Sequence, residues 1–111
     1  MQGNGKLPLD GIRVVDFTQV MMGPCATQML GDYGADVIKI ERPGQGDLSR
    51  TGFPDDPGGL DNPIFFSLNR NKRSICLDLK RPRGYEALVR LLADADVMTW
   101  NNRPASMARL K

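Results

Sequence analysis

This 111-residue chain contains no histidine. The commonest general base and the commonest zinc ligand are therefore missing, and chemistry must run on carboxylates, cations, amides or groups outside the chain. Its two cysteines, Cys25 and Cys76, lie far apart and form neither a metal-binding pattern nor a disulfide framework. Aromatic residues make up only 6% of the chain, and the formal net charge is +2. With acidic and basic residues interleaved, so small a net charge argues against a nucleic-acid footprint. No apolar run approaches the length of a membrane span, which argues against a membrane protein. The start, Met1-Gln2-Gly3-Asn4-Gly5-Lys6, has no apolar signal core, so a cytoplasmic location is expected. No G-x-G-x-x-G motif occurs, and no repeat or low-complexity segment.

What remains is an ordinary globular composition, 41% hydrophobic and 25% charged, sufficient for one domain with a real core. Residues 1–9 read as a flexible N-terminus. Ile12 to Phe17, Asp36 to Glu41, Ser74 to Leu79 and Asp96 to Trp100 read as four strands. Between them lie helical patterns. Gly23-Pro24 opens the first, with Ala26, Met29, Leu30 and Tyr33 as its buried stripe and Gly34 as its left-handed C-cap. Pro82 opens another, with Tyr85, Leu88, Val89 and Leu92 as its stripe. Pro104 to Leu110 begins a last helix that has no stop signal before Lys111, as though a longer domain continued. Residues 43–63, which hold four of the eight prolines, predict a long loop, and Ile64 to Leu68 a short helix. Strands alternating with amphipathic helices predict an α/β fold: a Rossmann-like parallel sheet with helices on both faces.

In such a sheet, ligands bind outside the carboxyl ends of the strands. The groups following the four strands are residues 18–24, Arg42, Lys80-Arg81 and Asn101-Asn102-Arg103. Cations and amides beside helix N-termini on one shared edge suit an anionic ligand. A dinucleotide is the first candidate, since Glu41 stands where an NAD-binding fold keeps its ribose acid. The turn Met21-Met22-Gly23-Pro24 disfavours it, because it lacks the glycines that admit a pyrophosphate and Pro24 removes a donor. Cys25, without a histidine to activate it, reads as a packing residue. Asp47 and Arg50 read either as substrate contacts or as a solvated loop pair. The basic run Asn69-Arg70-Asn71-Lys72-Arg73 reads as a solvated corner or a docking point away from the nucleotide edge. Phe17 and Trp100 read as core or pocket wall.

Several ordered segments resemble the family III CoA-transferases, the CaiB/BaiF family, along almost the whole chain. They are Pro8 to Asp16, Gly23-Pro24, Gly34 through Glu41-Arg42-Pro43-Gly44 to Gly46-Asp47, Asn69 to Ile75, and Asp94 to Asn101. The resemblance implies that residues 10–111 are the N-terminal part of a Rossmann-like CoA-binding domain, the partial large domain of an enzyme that moves CoA from an acyl-CoA thioester to a free carboxylic acid. It implies coenzyme A as the bound group, with no metal, and an interlocked homodimer for the full-length enzyme. By position, Met21 and Met22 approach the thioester end, and Arg42 meets the adenosine or its 3′-phosphate. Leu77, Asp78, Leu79 and Lys80 form the nucleotide pocket, Asn101, Asn102 and Arg103 lie beside it, and Arg109 serves the phosphates. No catalytic residue is expected within this chain, because the family's nucleophilic aspartate lies beyond Lys111. Two departures stand out. Relatives that carry glutamine at the Met21 position use its side chain, and methionine has no such donor. Trp100-Asn101-Asn102-Arg103 also replaces the usual Glu-Asn-aromatic pattern at the fourth strand's end. The alternatives are an acyl-CoA racemase of the same family, an NAD(P)-binding oxidoreductase domain using Glu41, and a non-catalytic CoA- or nucleotide-binding module. The Gly44-x-Gly46-Asp47 turn with Arg50 favours the transferases over the racemases.

Overall fold

The computed structural model describes residues 6–51 and 62–110. Four strands, β1 (Arg13–Asp16), β2 (Asp36–Glu41), β3 (Lys72–Cys76) and β4 (Val97–Thr99), form one sheet in the order β3-β2-β1-β4. All three pairings are parallel, as the alternation of strands and helices predicts. Among the described residues, helices α1 (Met22–Asp32), α2 (Pro63–Leu68), α3 (Pro82–Ala93) and α4 (Pro104–Ala108) accompany the sheet, with a 3₁₀ turn at Leu48–Arg50. The predicted helix after Ile64 is therefore present. The predicted loop over residues 43–63 contains the 3₁₀ turn, and its residues 52–61 lie outside the described ones.

The period-two alternation of the strands separates two chemistries. Val15, Phe17, Ile38 and Ile40 face α3, where Leu88 joins them in a buried apolar cluster flanked by Ile75, Leu77, Leu79, Leu91, Leu92 and Met98. On the opposite face, Val14, Val37 and Ala35 pack with Leu9, Ile12 and Leu30 near the amino ends of the strands. Towards the carboxyl ends, that same face carries buried Asp16, Lys39 and Glu41.

Three expectations need correction. The first concerns α1, whose buried residues are Pro24, Thr27 and Gln28. Ala26, Met29 and Tyr33 are exposed, and Leu30 is half-buried. The helix lies over the polar part of the sheet: Thr27 Oγ1 donates to Asp16 Oδ2 at 2.7 Å, and Lys72 Nζ donates to the Pro24 carbonyl at 2.9 Å. The face that packs is the face that satisfies those groups. In α3, similarly, only Leu88 of the predicted stripe is fully buried, while Tyr85 and Val89 are exposed.

The second correction is to β3, which pairs with β2 over Lys72–Cys76, two residues earlier than expected at its start. Ile75, Leu77 and Leu79 continue to pack on the core in alternation, so the hydrophobic pattern outlasts the strand. The third is the basic run. Lys72 is not solvated: its side chain is 2% exposed and lies 3.2 Å from Asp16 Oδ2. Its neighbours behave as surface residues, Arg70 pairing with Asp32 and Arg73 with Asp36. Adjacent residues of a strand point to opposite faces, which sends Lys72 inward and Arg73 outward.

Candidate functional site

At the carboxyl edge of the sheet, Phe17, Gln19, Ile40, Arg42, residues 77–80, Asn102 and Ser106 surround a cavity of about 400 Å³. Six of the residues that the resemblance assigns to CoA meet there, Arg42, Leu77, Asp78, Leu79, Lys80 and Asn102, and Glu41 also lines it. A second depression, of about 480 Å³, shares Gln19, Asn102 and Ser106 with the first and adds Val20, Leu48, Asn101 and Arg103. A third, of about 250 Å³, shares Leu79, Lys80 and Leu110 and adds Arg81 and Arg109. The three form one continuous run along the strand ends. Met21 and Met22 stand apart from it: they are 50% and 80% exposed and are not among its lining residues. A further groove of about 380 Å³ runs along α3 between Tyr85, Glu86, Val89 and Arg90 and shares Tyr85 with the third depression.

Local structure fixes the loop after β3. The Leu77 amide makes a last ladder-like bond to the Glu41 carbonyl at 3.0 Å, and the chain then turns. Asp78 accepts from the Lys80 amide at 3.1 Å and pairs loosely with Arg81, so its carboxylate serves the turn. The first turn of α3 approaches this loop so closely that a Cβ on Gly84 would lie 2.1 Å from the Asp78 carbonyl oxygen. Only glycine allows that approach.

Arg42 is exposed, and its Nε donates to the Gly46 carbonyl at 3.3 Å. Its terminal nitrogens make no hydrogen bond among the described residues. Arg109 turns back on its own helix, donating to the Ala105 carbonyl and to Ser106 Oγ. Among the described residues, Arg42, Lys80, Arg103 and Arg109 at this edge enter no ion pair, and neither do Lys6, Arg83 and Arg90 elsewhere, whereas Arg13, Lys39, Arg50, Arg70, Lys72, Arg73 and Arg81 all do. The edge thus offers positive charge that the fold has not neutralised.

Glu41 behaves differently from Arg42. Its side chain is 2% exposed, and Arg50 donates to both oxygens, at 2.8 and 3.0 Å. The Asp47 amide and Ser74 Oγ also donate to it. Burial pushes the Glu41 carboxyl up, but the bonds from Arg50, Ser74 and the Asp47 amide outweigh it and hold the pKa below the ordinary glutamate range. No oxygen is left over for a ribose. The turn that brings Arg50 back requires Gly46 at φ +65°, where a Cβ would strike Glu41 Oε1 at 2.7 Å.

Asp47 and Arg50 are therefore not a solvated loop pair: Asp47 is buried, and Arg50, half-buried, is held by Glu41. Asp47 lies 2.7 Å from Lys39 Nζ, with side chains 0% and 1% exposed. Among the described residues nothing else reaches the Asp47 oxygen in this contact. Its other oxygen accepts from the amides of Val20 and Ser49 and from Ser49 Oγ. Burial raises the Asp47 carboxyl and Lys39 and these donors lower it, with a net shift downwards. Burial lowers the Lys72 ammonium, which Asp16 only partly restores. Sequence reasoning missed this cluster of Asp16, Lys39, Asp47 and Lys72. The available signal was charge at inward positions of otherwise β-branched strands, at Asp16 and Lys39.

Metal chemistry finds no ligand set here: among the described residues no group of three or more His, Cys, Asp or Glu is placed to hold an ion. No helix among them is long and apolar enough to cross a membrane.

Fold and edge together define a parallel, Rossmann-like α/β domain whose strand ends gather unneutralised cations. The chain belongs to CoA-transferase family III, whose model matches residues 9–111. It is 50% identical over 102 residues to a formyl-CoA:oxalate CoA-transferase of Rhodopseudomonas palustris, covering 92% of this chain and 24% of that protein. A protein of the same name from Afipia carboxidovorans is 49% identical over the same coverage. Among solved structures, a CaiB/BaiF family protein from Brucella suis superposes with a TM-score of 0.84 at 39% identity, over 96% of this chain and 29% of that one. Rv3272 from Mycobacterium tuberculosis gives 0.82 at 42% identity, over 96% and 30%. The chain spans about a quarter of the length of the curated relatives it matches.

Proposed function

We propose that the carboxyl edge of this sheet binds coenzyme A, and that the chain is the N-terminal CoA-binding part of an enzyme moving CoA from an acyl-CoA thioester to a carboxylic acid. The observation that supports this reading is the gathering of Arg42, Lys80, Arg103 and Arg109, all outside ion pairs, around adjoining cavities of which the first is walled by Phe17, Ile40, Leu77 and Leu79. Adenosine phosphates joined to a pantetheine arm need that combination: fixed positive charge at one end and apolar walls between. In this reading Arg42 and Lys80 meet phosphates, Leu77 and Leu79 wall the nucleotide, Asn101 and Asn102 offer amides, and Met21 and Met22 serve the thioester end. The nucleophilic carboxylate belongs to the part of the relatives that this chain does not match, and so does the partner surface of an interlocked homodimer. The relatives' name makes formyl-CoA and oxalate the first donor and acceptor to assay.

Titration of the folded chain with CoA and with NADH, followed through its single tryptophan, tests the proposal. Trp100 is 53% exposed and next in sequence to Asn101, which lines the 480 Å³ cavity, so it is the nearest intrinsic reporter of the site, and calorimetry reads binding directly. Saturable binding of CoA, tighter than that of NADH, is expected. Tighter binding of NADH would overturn it.

A further inference from the structure

Val20 is held in a conformation it does not favour. Its φ is +73°, and the only other non-glycine residue with positive φ among the described ones is Asn71, a type that tolerates it. A β-branched residue in the left-handed region is strained, and such strain persists only where the surroundings enforce it. Burial of the side chain does not enforce it, since Val20 is 42% exposed.

The enforcement comes from below. The Val20 amide donates to Asp47 Oδ1 at 3.0 Å, and Lys39 Nζ donates to the Thr18 carbonyl at 2.8 Å. Lys39 and Asp47 are themselves joined at 2.7 Å. The Thr18 amide is fixed by Asp16, which is in turn paired with Lys72. From just beyond β4, Asn101 grips Gln19 on both sides, accepting from its amide at 2.9 Å and donating to its carbonyl at 2.8 Å. Successive peptide units at 18, 19 and 20 are thus each clamped by side chains from different elements. A buried ion pair is a poor way to stabilise a core, because apolar residues of similar volume do as well or better. Its effect here is positional: it sets the segment that contributes Gln19 and Val20 to the wall of the 480 Å³ cavity.

We propose that the buried Lys39–Asp47 pair is a positioning element for the ligand site, holding Val20 left-handed and thereby fixing the cavity wall at residues 19–20. The consequence for CoA rests on the reading given under Proposed function; the consequence for the loop does not.

The test is a double-mutant cycle on this chain. Glycine adopts positive φ without strain, so a clamp that enforces φ at position 20 becomes dispensable once Val20→Gly is made. Asp47→Ala is expected to weaken CoA binding about tenfold in the parent and less than about threefold in the Val20→Gly background. A purely structural role for Asp47 predicts the same loss in both backgrounds, and that result would overturn the proposal. Should Asp47→Ala fail to fold with Lys39 unpaired, the apolar replacement Lys39→Met with Asp47→Leu removes the clamp without leaving a buried charge, and the same comparison applies. Amide hydrogen exchange decides the loop's behaviour independently of any ligand. In Asp47→Ala, acceleration of at least about tenfold confined to residues 19–22 and the Ser49 amide, the other donor to Asp47, is expected. Unchanged exchange there, or a uniform increase throughout the chain, overturns the clamp. Absence of CoA binding by the parent chain alone sinks the CoA reading, while the exchange result still judges the clamp.

Discussion

Glu41 provides a direct test of whether the charge at the end of β2 serves a ligand or the fold. Removing it by Glu41→Ala takes the acceptor from the two Arg50 bonds and orphans the buried amide of Asp47. Arg50 is 20% exposed and stacks 3.5 Å from the Phe65 ring centroid, so part of its guanidinium reaches water once released. A hydrogen bond to a charged group contributes roughly 1.5–3 kcal/mol, and an unsatisfied buried donor costs about 1–3 kcal/mol. Together these give a destabilisation of about 2.5–6 kcal/mol, which brackets the roughly 3–5 kcal/mol found when one partner of a buried pair is removed. With a urea slope of about 1 kcal/mol/M for a domain of this size, the unfolding midpoint should fall by about 2.5 M or more. Tryptophan fluorescence or far-ultraviolet circular dichroism in urea measures it directly. Glu41→Gln keeps the shape and one acceptor, and should lose about half as much. A midpoint within about 0.5 M of the parent for Glu41→Ala, combined with lost ligand binding, would refute the reasoning and return Glu41 to the role of a ribose acid.

Three other outcomes follow from the same geometry. Arg42→Ala and Lys80→Ala should each weaken CoA binding by about 1–3 kcal/mol in a calorimetric titration, as loss of a charge-assisted contact does; unchanged affinity in both would mean the strand-edge site is wrong. Gly84→Ala should destabilise the chain by about 1–3 kcal/mol and disturb residues 77–80, because the new methyl meets the Asp78 carbonyl; chemical-shift changes confined to α3 would contradict this. Glu41 and Asp47 both have folded pKa values below their ordinary ones, so their stabilisation is complete above the unfolded values and is lost as pH falls through the folded ones. The thermal midpoint should therefore hold between about pH 7 and 5 and drop below about 4.5, less steeply once Lys39→Met and Asp47→Leu are combined.

The architecture was legible because each strand is marked by β-branched residues and α2, α3 and α4 by a proline at their start; α1 begins at Met22, two residues before the expected Pro24. Gly34 takes φ +105°, as its position after α1 requires. The limits of β3 were less legible. Ile75, Leu77 and Leu79 alternate towards the core whether or not the backbone is paired, and pairing ends at Cys76. Alternation reports where side chains point; hydrogen bonding to a neighbour is a separate condition. The α1 stripe failed for a related reason. Ala26, Met29, Leu30 and Tyr33 share an apolar face, yet periodicity does not say which face meets the sheet, and that depended on Asp16 and Lys72.

The site divides along the same line. Cations following the strands were legible as a shared edge, since parallel topology alone places them there. The roles of the charges were not, because Glu41 and Arg42 are adjacent in sequence and opposite in environment. The alternation that sends Ile40 to the apolar cluster sends Lys39 and Glu41 to the polar face, and leaves Arg42 just beyond the paired strand. Lys72 and Arg73 divide in the same way on the neighbouring strand. Charge at the end of a buried parallel strand is therefore best read by parity before it is read by chemistry. Inward-facing charges have partners within the fold and set the loops, whereas those past the last ladder bond are the ones left for a ligand. By that rule Arg42 and Lys80 are the charges left available to the proposed ligand, and Glu41, Lys39 and Asp47 are the ones spent within the fold.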